Sequence, residues 1–464
     1  MAQMPSPPRA VIAPARSCAY TVVRRVFERG AYADQALQAE AKDLQPRDRA
    51  LAMRLAYGAV QRKGTVDHLI EQLAERPPAR LDPPVLAALR LGLYELLYLG
   101  GSPDYAVVAD AVELSKTHGR GGHGLVNAVL RRAAREGAGV LLEPLTEDTP
   151  QEAAIKHSHP EWLARLWWET LGAEQARALM AYDNEPGELA LRANTLVTDA
   201  QALAGELPVR THDDPHVPEA LVLEEPFDVH GSGLWQQGAF LAQSRAAMLV
   251  SRVLAPAPGE RVLDLCAAPG GKTTHLAALM EGRGELVAVE RNPRRAGALV
   301  RTAQRLHAGN VRVEVGDAAA WPASERLAQE AAYDRVLVDP PCSGLGTLQA
   351  RADLRWRATP AAIAEMAGEQ AKILAAGACA LRPGGLLVYS TCTISPTENE
   401  RLIDAFLDSH RDFTADDLAA ELPAFSLAPA AAAPGRRPSA SPYALTLPHR
   451  DHTAGFFIAR LRRS

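Results

Sequence analysis

The residues with chemistry to offer fall in three short segments: Val262-Leu263-Asp264-Leu265-Cys266-Ala267-Ala268-Pro269-Gly270-Gly271-Lys272-Thr273, Asp339-Pro340-Pro341-Cys342-Ser343-Gly344, and Ser390-Thr391-Cys392-Thr393. In the first, an apolar strand pattern ends in an acid, and small residues lead into a helical pattern. Small residues let backbone approach a ligand closely, and a helix start offers free N–H groups and a positive dipole end. A nucleoside triphosphate could use such a turn. Its motif, however, requires Gly six residues before the Lys, where Cys266 stands. S-adenosylmethionine suits the pattern better. Glu290 ends the next strand, where an acid grips ribose hydroxyls in dinucleotide-type folds. Asp317 follows the third strand, placed to accept from an adenine amino group. One strand-end acid commonly just caps the next helix; three in succession, with the small-residue loop, favour a ligand.

The five cysteines, at 18, 266, 342, 379 and 392, form no Cys-x-x-Cys pair and no metal-ligand spacing. No metal site or disulfide framework is expected. A cysteine is more often a small buried apolar residue than a nucleophile. Cys18 and Cys379, on apolar helix faces, are read that way, and Cys266 as a small loop residue. Cys342 and Cys392 differ because both follow strands at the sheet edge that would bind the cofactor. A thiolate beside a methyl donor points to carbon 5 of a pyrimidine, a poor nucleophile. Addition of the thiolate at C6 makes C5 reactive; loss of the C5 proton then expels the thiolate. That chemistry needs a nucleophilic Cys, a hydrogen-bond donor near N3 (a protonated Asp339 would serve) and a general base. A cation such as Lys272 would favour the thiolate or anionic intermediates. Which thiol attacks is left open by the residues alone.

These segments need a sheet to bring them together. Strands are expected at Arg261–Leu265, Glu285–Glu290, Val311–Gly316, Arg335–Asp339, Leu386–Ser390 and Phe456–Leu461, the first five separated by helical stretches. This is the pattern of a doubly wound parallel sheet. Ahead of it, residues 15–138 are helical throughout. Leu86, Leu89, Leu93, Leu96 and Leu97 share one helix face, and further amphipathic segments run over Ala19–Arg29, Arg47–Gln61, Ala106–Ser115 and Gly124–Ala134. A linker near Gly137–Gln151, helices at Glu161–Thr170 and Ala173–Tyr182, and short strands at Leu189–Leu196 and Ala220–Leu223 make a small intervening subdomain over 139–225. Residues 1–14 form a Pro-rich disordered lead and 426–443 a low-complexity surface loop within the last domain, 226–464.

With these motifs, the chain resembles the RNA 5-methylcytosine methyltransferases, and most closely the bacterial RsmB (Sun/Fmu) small-subunit rRNA enzymes. The marks are LDLCAAPGGKT, VDPPCSGLGT and YSTCTISPTENE, joined in the helical region by LQPRDRALAMRLAYGAVQRK, Asp104-Tyr105-Ala106-Val107-Val108 and GLVNAVLRR. The resemblance implies a NusB-like RNA-binding helical domain, a small linking subdomain and a Rossmann-like class I methyltransferase domain. It implies Cys392 as nucleophile and Cys342 as the thiol that assists release of methylated RNA. It also implies S-adenosylmethionine held by Cys266, Ala267, Ala268, Pro269, Gly270, Gly271, Lys272, Glu290, Asp317 and Asp339. The partner would be small-subunit (16S) rRNA, naked or in an assembling particle. The same chemistry on tRNA or another rRNA cytosine is the alternative, and a non-catalytic RNA-binding adaptor a third reading that intact Cys342, Cys392, Lys272 and Asp339 oppose. Methylation of an exocyclic amine would favour an aromatic residue where Cys342 stands.

Some positions depart from the family pattern. Gln349, Ala350 and Ala352 replace a basic pair and a Pro, with Arg351, Arg355 and Arg357 nearby to take over RNA phosphate contacts. Ser244 and Thr453-Ala454 stand where acids are usual.

Composition agrees with this division of labour. The whole chain carries a net charge of −5 and has no global basic signal. Residues 1–140, however, hold 19 basic against 14 acidic side chains, and the remainder 31 against 41. A basic part joined to an acidic one suits a polyanion holder beside a catalytic domain. The apolar stretch Val85–Leu99 is broken by Arg90 and Glu95, and the start lacks the apolar run of a secretory signal. No membrane partner and a cytoplasmic location are expected.

Overall fold

A computed structural model describes residues 12–119, 121–321, 332–426 and 441–464. Of the expected lead, residues 1–11 lie outside them; of the expected low-complexity loop, residues 427–440 do. The chain divides into two compact units. One is formed by the residues up to Glu185 with Leu348–Arg357, the other by Pro186–Thr347 with Ala358–Ser464.

The first unit is helical. Pro14–Arg29, Pro46–Gln61, Pro83–Tyr94 and Pro150–Lys156 each begin on a proline, whose fixed φ and missing N–H suit a first turn. Ala33–Glu40 and Lys63–Ala74 are helices that the apolar periodicity did not single out, and Pro150–Lys156 starts within the expected linker. Pro83–Tyr94 is buried nearly all round rather than along one leucine face: Ala87, Ala88, Leu89, Leu91 and Leu93 are inside, while Leu86 and Leu96 are half-buried. A helix apolar on every side belongs at a core centre. The two charges that interrupt it are satisfied there. Glu95 takes both ends of the Arg16 guanidinium at 2.9 and 2.7 Å, and Arg90 grips Asp67. Among the described residues no helix is long and apolar enough to cross a membrane.

Leu348–Arg357 overturns an expectation. Arg355 is fully buried and donates to the carbonyls of Ser158 and Asp183 and to Asn184 Oδ1, all near 3 Å. Trp356 Nε1 donates to Val60 O at 2.7 Å, and Arg357 pairs with Asp353 and donates to Gly30 O. Arg355 and Arg357 are therefore spent on protein carbonyls, leaving Arg351 as the exposed cation of the three. A short-range reading misses this because the acceptors lie about 170 to 330 residues away in sequence.

The second unit holds two sheets. Strands β1 (Ala190–Ala193), β2 (Thr211–Asp213), β3 (Ala220–Leu223) and β4 (Phe240–Ala242) form an antiparallel sheet in the order β2-β3-β1-β4. The larger sheet uses β5 (Arg261–Asp264), β6 (Glu285–Glu290), β7 (Val311–Val315), β8 (Tyr333–Val338), β9 (Leu381–Thr391), β10 (Phe413–Ala415), β11 (Ala444–Leu445) and β12 (Phe457–Arg463). Its order is β10-β12-β9-β8-β5-β6-β7, with β11 also paired to β12. The pairs from β9 through β7 are parallel and those of β12 antiparallel. After β5 the chain builds outward through β6 and β7, then returns to the other side of β5 as β8. The crevice at such a reversal, at the strands' carboxyl ends, is where open α/β sheets bind ligands. Strand β9 starts five residues earlier than expected, through Pro383 and two glycines, with a register irregularity against β8.

Two measurements test the helical unit. Asp183 is buried, and loss of hydration pushes its carboxyl up to about 7, with Arg355 pulling the other way; Oδ1 has no partner. The folded chain keeps this proton up to about pH 7, whereas an unfolded Asp loses it near pH 4, so Asp183 costs stability as pH rises across that window. Asp183→Asn should gain on the parent by at least about 1 kcal/mol between pH 5 and pH 8 in denaturant titrations. Arg355→Met strands three buried acceptors and should cost about 3 kcal/mol, read as a lowered denaturation midpoint.

Candidate active site

The loop after β5 is fixed from both neighbouring strands: Leu265 N bonds Leu337 O, and Ala267 N bonds Val289 O. It leads into the helix Gly271–Leu279. Gly270 has φ +106°, and a Cβ there would lie 2.6 Å from Leu299, so only glycine makes this turn. Cys266, Ala267, Ala268, Pro269, Gly271, Lys272 and Asp339 line one cavity of about 290 Å³, together with Asp264, Gln243, Leu241, Ala242, Ala247 and Thr302. Gly270, Glu290 and Asp317 are not among its lining residues. Glu290 is buried and accepts from Asn292 N at 2.7 Å, with Arg295 3.5 Å away. Asp317 is exposed and caps the short turn Ala318–Ala320.

Asp264 and Gln243 escaped the sequence reading as site residues, although Asp264 was visible as the acid ending the first strand. Burial pushes the Asp264 carboxyl up to about 7, against the pull of the Thr273 hydroxyl, which donates to Oδ2 at 2.7 Å. Asp264 Oδ1 has no partner. An acceptor left unsatisfied at a cavity wall suits a ligand bearing donors or positive charge. The Cys266 thiol is raised above the ordinary value by burial and by Asp264, which disfavours its thiolate form. The cavity therefore fits a cationic, amino-bearing group such as S-adenosylmethionine, which the loop, Asp264 and Asp339 would hold.

At the crevice, Lys272 Nζ donates to Asp339 Oδ2 at 2.7 Å and lies 4.8 Å over the Phe456 ring. Ser390 Oγ donates to Asp339 Oδ1 at 2.9 Å. Both Asp339 oxygens thus accept, one of them in an ion pair. Burial opposes the Lys272 ammonium, but Asp339 outweighs it and Cys392 adds to the effect, holding Lys272 above its ordinary value and charged.

Cys342 Sγ and Cys392 Sγ are 3.3 Å apart, both half-buried. The Cys342 thiol is raised well above its ordinary value, first by its hydrogen bond with Cys392, then by burial, the Cys392 charge, Glu398 and Asp339. Their loops are interlocked. Gly346 N donates to Cys392 O and Gly346 O accepts from Gly455 N; a Cβ on Gly346 would sit 1.9 Å from Gly455 O. The substituted positions have found other work. Ser244 caps the helix Arg245–Leu254, and Thr453 Oγ1 donates to Glu188 at 2.6 Å. Cys18 is buried as expected, whereas Cys379 is exposed, because its place on the helix Pro360–Ala380 faces away from the core.

An open α/β sheet with a small-residue loop and cavity at its reversal, preceded by a helical region, fits a methyltransferase with an added helical domain. Family models agree. Residues 251–462 match the 16S rRNA methyltransferase RsmB/F model, 13–135 the NusB family, and 159–230 the ferredoxin-like domain of RsmF/B-like methyltransferases. A probable ribosomal RNA small subunit methyltransferase B of Synechocystis sp. is 37 % identical over 97 % of this chain and 99 % of its own length. One of Bacillus subtilis is 33 % identical over 97 % and 98 %. The crystal structure of PH0851 superposes with a TM-score of 0.75 at 27 % identity, over 98 % of this chain and all of that one. The chain belongs to the RsmB/F family of methyltransferases.

The thiol geometry has a direct readout. Diamide, which takes up two electrons and two protons, should convert Cys342 and Cys392 into one intramolecular disulfide, seen as a cross-linked peptide pair. Gly346→Ala, which forces the loops apart, should slow that oxidation at least tenfold.

Proposed function

We propose that this chain methylates C5 of a cytosine in small-subunit rRNA through a covalent bond between Cys392 and C6. The observation that carries the chemistry is the pair of thiols 3.3 Å apart beside the Lys272–Asp339 ion pair. The substrate class rests on the family and on relatives named as small subunit methyltransferases. We assign residues 15–138 to RNA binding, 139–225 to a linking subdomain and 226–464 to catalysis, in the cytoplasm.

Bound at the loop Cys266–Lys272, with Glu290 and Asp317 assigned to its ribose and adenine, S-adenosylmethionine supplies an electrophilic methyl group. The chain's own residues do the rest. Lys272 favours the Cys392 thiolate, while Cys342 keeps its proton and donates toward it. The thiolate bonds to C6, and the C5=C6 electron pair moves to C5, making that carbon nucleophilic. Asp339 accepts from the cytosine amino group. Once Cys392 is bound as a thioether, the hydrogen bond and charge that hold the Cys342 proton are gone, and Cys342 gives that proton to solvent water. After C5 carries the methyl group, the Cys342 thiolate takes the C5 proton, the C–H electron pair re-forms the double bond, and the S–C6 electron pair returns to Cys392 as thiolate; in this way Cys342 assists release. The target base must leave its stack to reach the pair, and phosphate contacts from the helical domain make binding weaken as salt rises.

RNA carrying 5-fluorocytosine tests this reading, because fluorine at C5 blocks the final elimination. With S-adenosylmethionine and a small-subunit rRNA fragment or particle, the wild type should form a denaturation-resistant adduct that survives in Cys342→Ala and vanishes in Cys392→Ala. Loss in Cys342→Ala alone would reverse the roles. An adduct on tRNA but on no rRNA would move the substrate, and none on any of them would sink the chemistry.

A further inference from the structure

Glu398 lies in none of the roles assigned above, yet it is the group that both thiol-bearing loops share. Its side chain is completely buried. Among the described residues no cation pairs with it. Its carboxylate is instead met by neutral donors. Ser343 N donates to Oε1 at 2.8 Å and Gln370 Nε2 to the same oxygen at 3.0 Å, while the Ser343 hydroxyl donates to Oε2. Three such bonds are what a buried carboxylate requires in place of water. The arrangement reaches outward on each side. Ser343 Oγ also meets Thr393 Oγ1 at 2.7 Å, Gln370 Nε2 bonds Pro341 O at 2.9 Å, and the Tyr389 hydroxyl donates to Glu398 O at 2.7 Å. Cys342 thus sits between two residues, Pro341 and Ser343, that are both tied to this one network, and Cys392 is next to Thr393 on its other side.

Resting on the cysteine chemistry proposed above, we propose that Glu398 is the positioning residue of the thiol pair: its carboxylate ties the Pro341–Ser343 turn to the Cys392 loop and makes Cys342 the hydrogen-donating partner. The tie fixes distance, and the charge fixes direction. An unneutralised anion behind Cys342 opposes a thiolate there, as does Asp339, whereas Cys392 faces the Lys272 ammonium. The groups acting on Cys342 are then Cys392, Glu398 and Asp339, with the Tyr389 hydroxyl also within reach of its charge. Two chemically identical side chains become one nucleophile and one proton carrier through what stands behind each.

Glu398→Gln and Glu398→Ala separate tie from charge. Glutamine retains the shape and an acceptor for Ser343 N, and its amide can donate to the Ser343 hydroxyl. In the full-length protein, diamide should close the Cys342–Cys392 disulfide in Glu398→Gln within about twofold of the parent rate, and in Glu398→Ala at least tenfold more slowly. The charge is read in a Cys392→Ala background, where iodoacetamide labelling of Cys342 is followed against pH. There Glu398→Gln should lower the labelling midpoint by half a pH unit or more, a shift that a purely structural role would not produce. Should Glu398→Ala fail to fold, Ser343→Ala, which removes one of the two Ser343 bonds, should give an intermediate slowing. An unmoved midpoint in Glu398→Gln, or disulfide closure at the parent rate in the alanine variants, would overturn the proposal. Neither measurement needs RNA or cofactor, so failure here and failure of the 5-fluorocytosine adduct are distinguishable: the first strikes the role of Glu398, the second the methylation reading.

Discussion

The ion pair between Lys272 and Asp339 is the constraint on which the site is built. Lys272 enters from the helix that follows β5, and Asp339 is the first residue past β8, the strand on the other side of the chain reversal. A charge pair of 2.7 Å thus ties the helix after β5 to the end of β8. Because each member is largely withdrawn from water, the attraction is less screened than it would be on the surface. Either residue alone would be an uncompensated charge in a narrow cleft. Together they place an ammonium beside Cys392 and leave a carboxylate that still accepts from Ser390. The loop after β5, Asp339 and Cys392 are thereby held to one point.

From that point the asymmetry of the two thiols follows. Sequence chemistry offers Cys342 and Cys392 as equals, since both follow strands and both lie among small polar residues. In three dimensions they share a hydrogen bond but not an environment. Anionic Glu398 and Asp339 oppose loss of the Cys342 proton, whereas Lys272 and Cys392 stabilise each other's charged forms. The hydrogen bond between the sulfurs makes the difference cooperative: a proton kept on one thiol stabilises the thiolate on the other.

What could be read from the sequence and what could not divide along a physical line. The parallel strands were legible because their apolar runs end in Asp264, Glu290 and Asp339, and β6 emerged with the expected ends. The cofactor loop was legible because small residues at a strand-to-helix junction have few other uses. Glu398, Gln243 and Arg355 were not. Nothing in the residues beside Arg355 announces that its acceptors are carbonyls of Ser158 and Asp183, and a loop with three arginines reads as an RNA contact until its burial is known. Glu398 sits in a polar stretch, Ser395-Pro396-Thr397-Glu398-Asn399-Glu400, that looks solvated and is in large part interior. Long-range polar pairing leaves no periodicity, and periodicity is what local reading detects.

The segment Leu348–Arg357 completes the core of the helical unit. It follows directly after Thr347, in the loop that begins at Cys342, yet it belongs to the unit formed by the residues up to Glu185. Ala352 is part of that unit's core, Trp356 packs on it with Lys63 over its ring at 4.6 Å, and Arg355 satisfies carbonyls that have no water to turn to. A fragment ending at residue 185 would therefore lose not a decoration but a half-buried indole, a buried guanidinium and the donors for Val60, Ser158 and Asp183. Each exposed or unsatisfied group costs free energy on a scale comparable with the net stability of a small domain. The helical unit is thus completed by chain borrowed from the loop after Cys342. Residues far apart in sequence finish one helical core, with Leu348–Arg357 supplying donors that no neighbouring residue in the chain supplies.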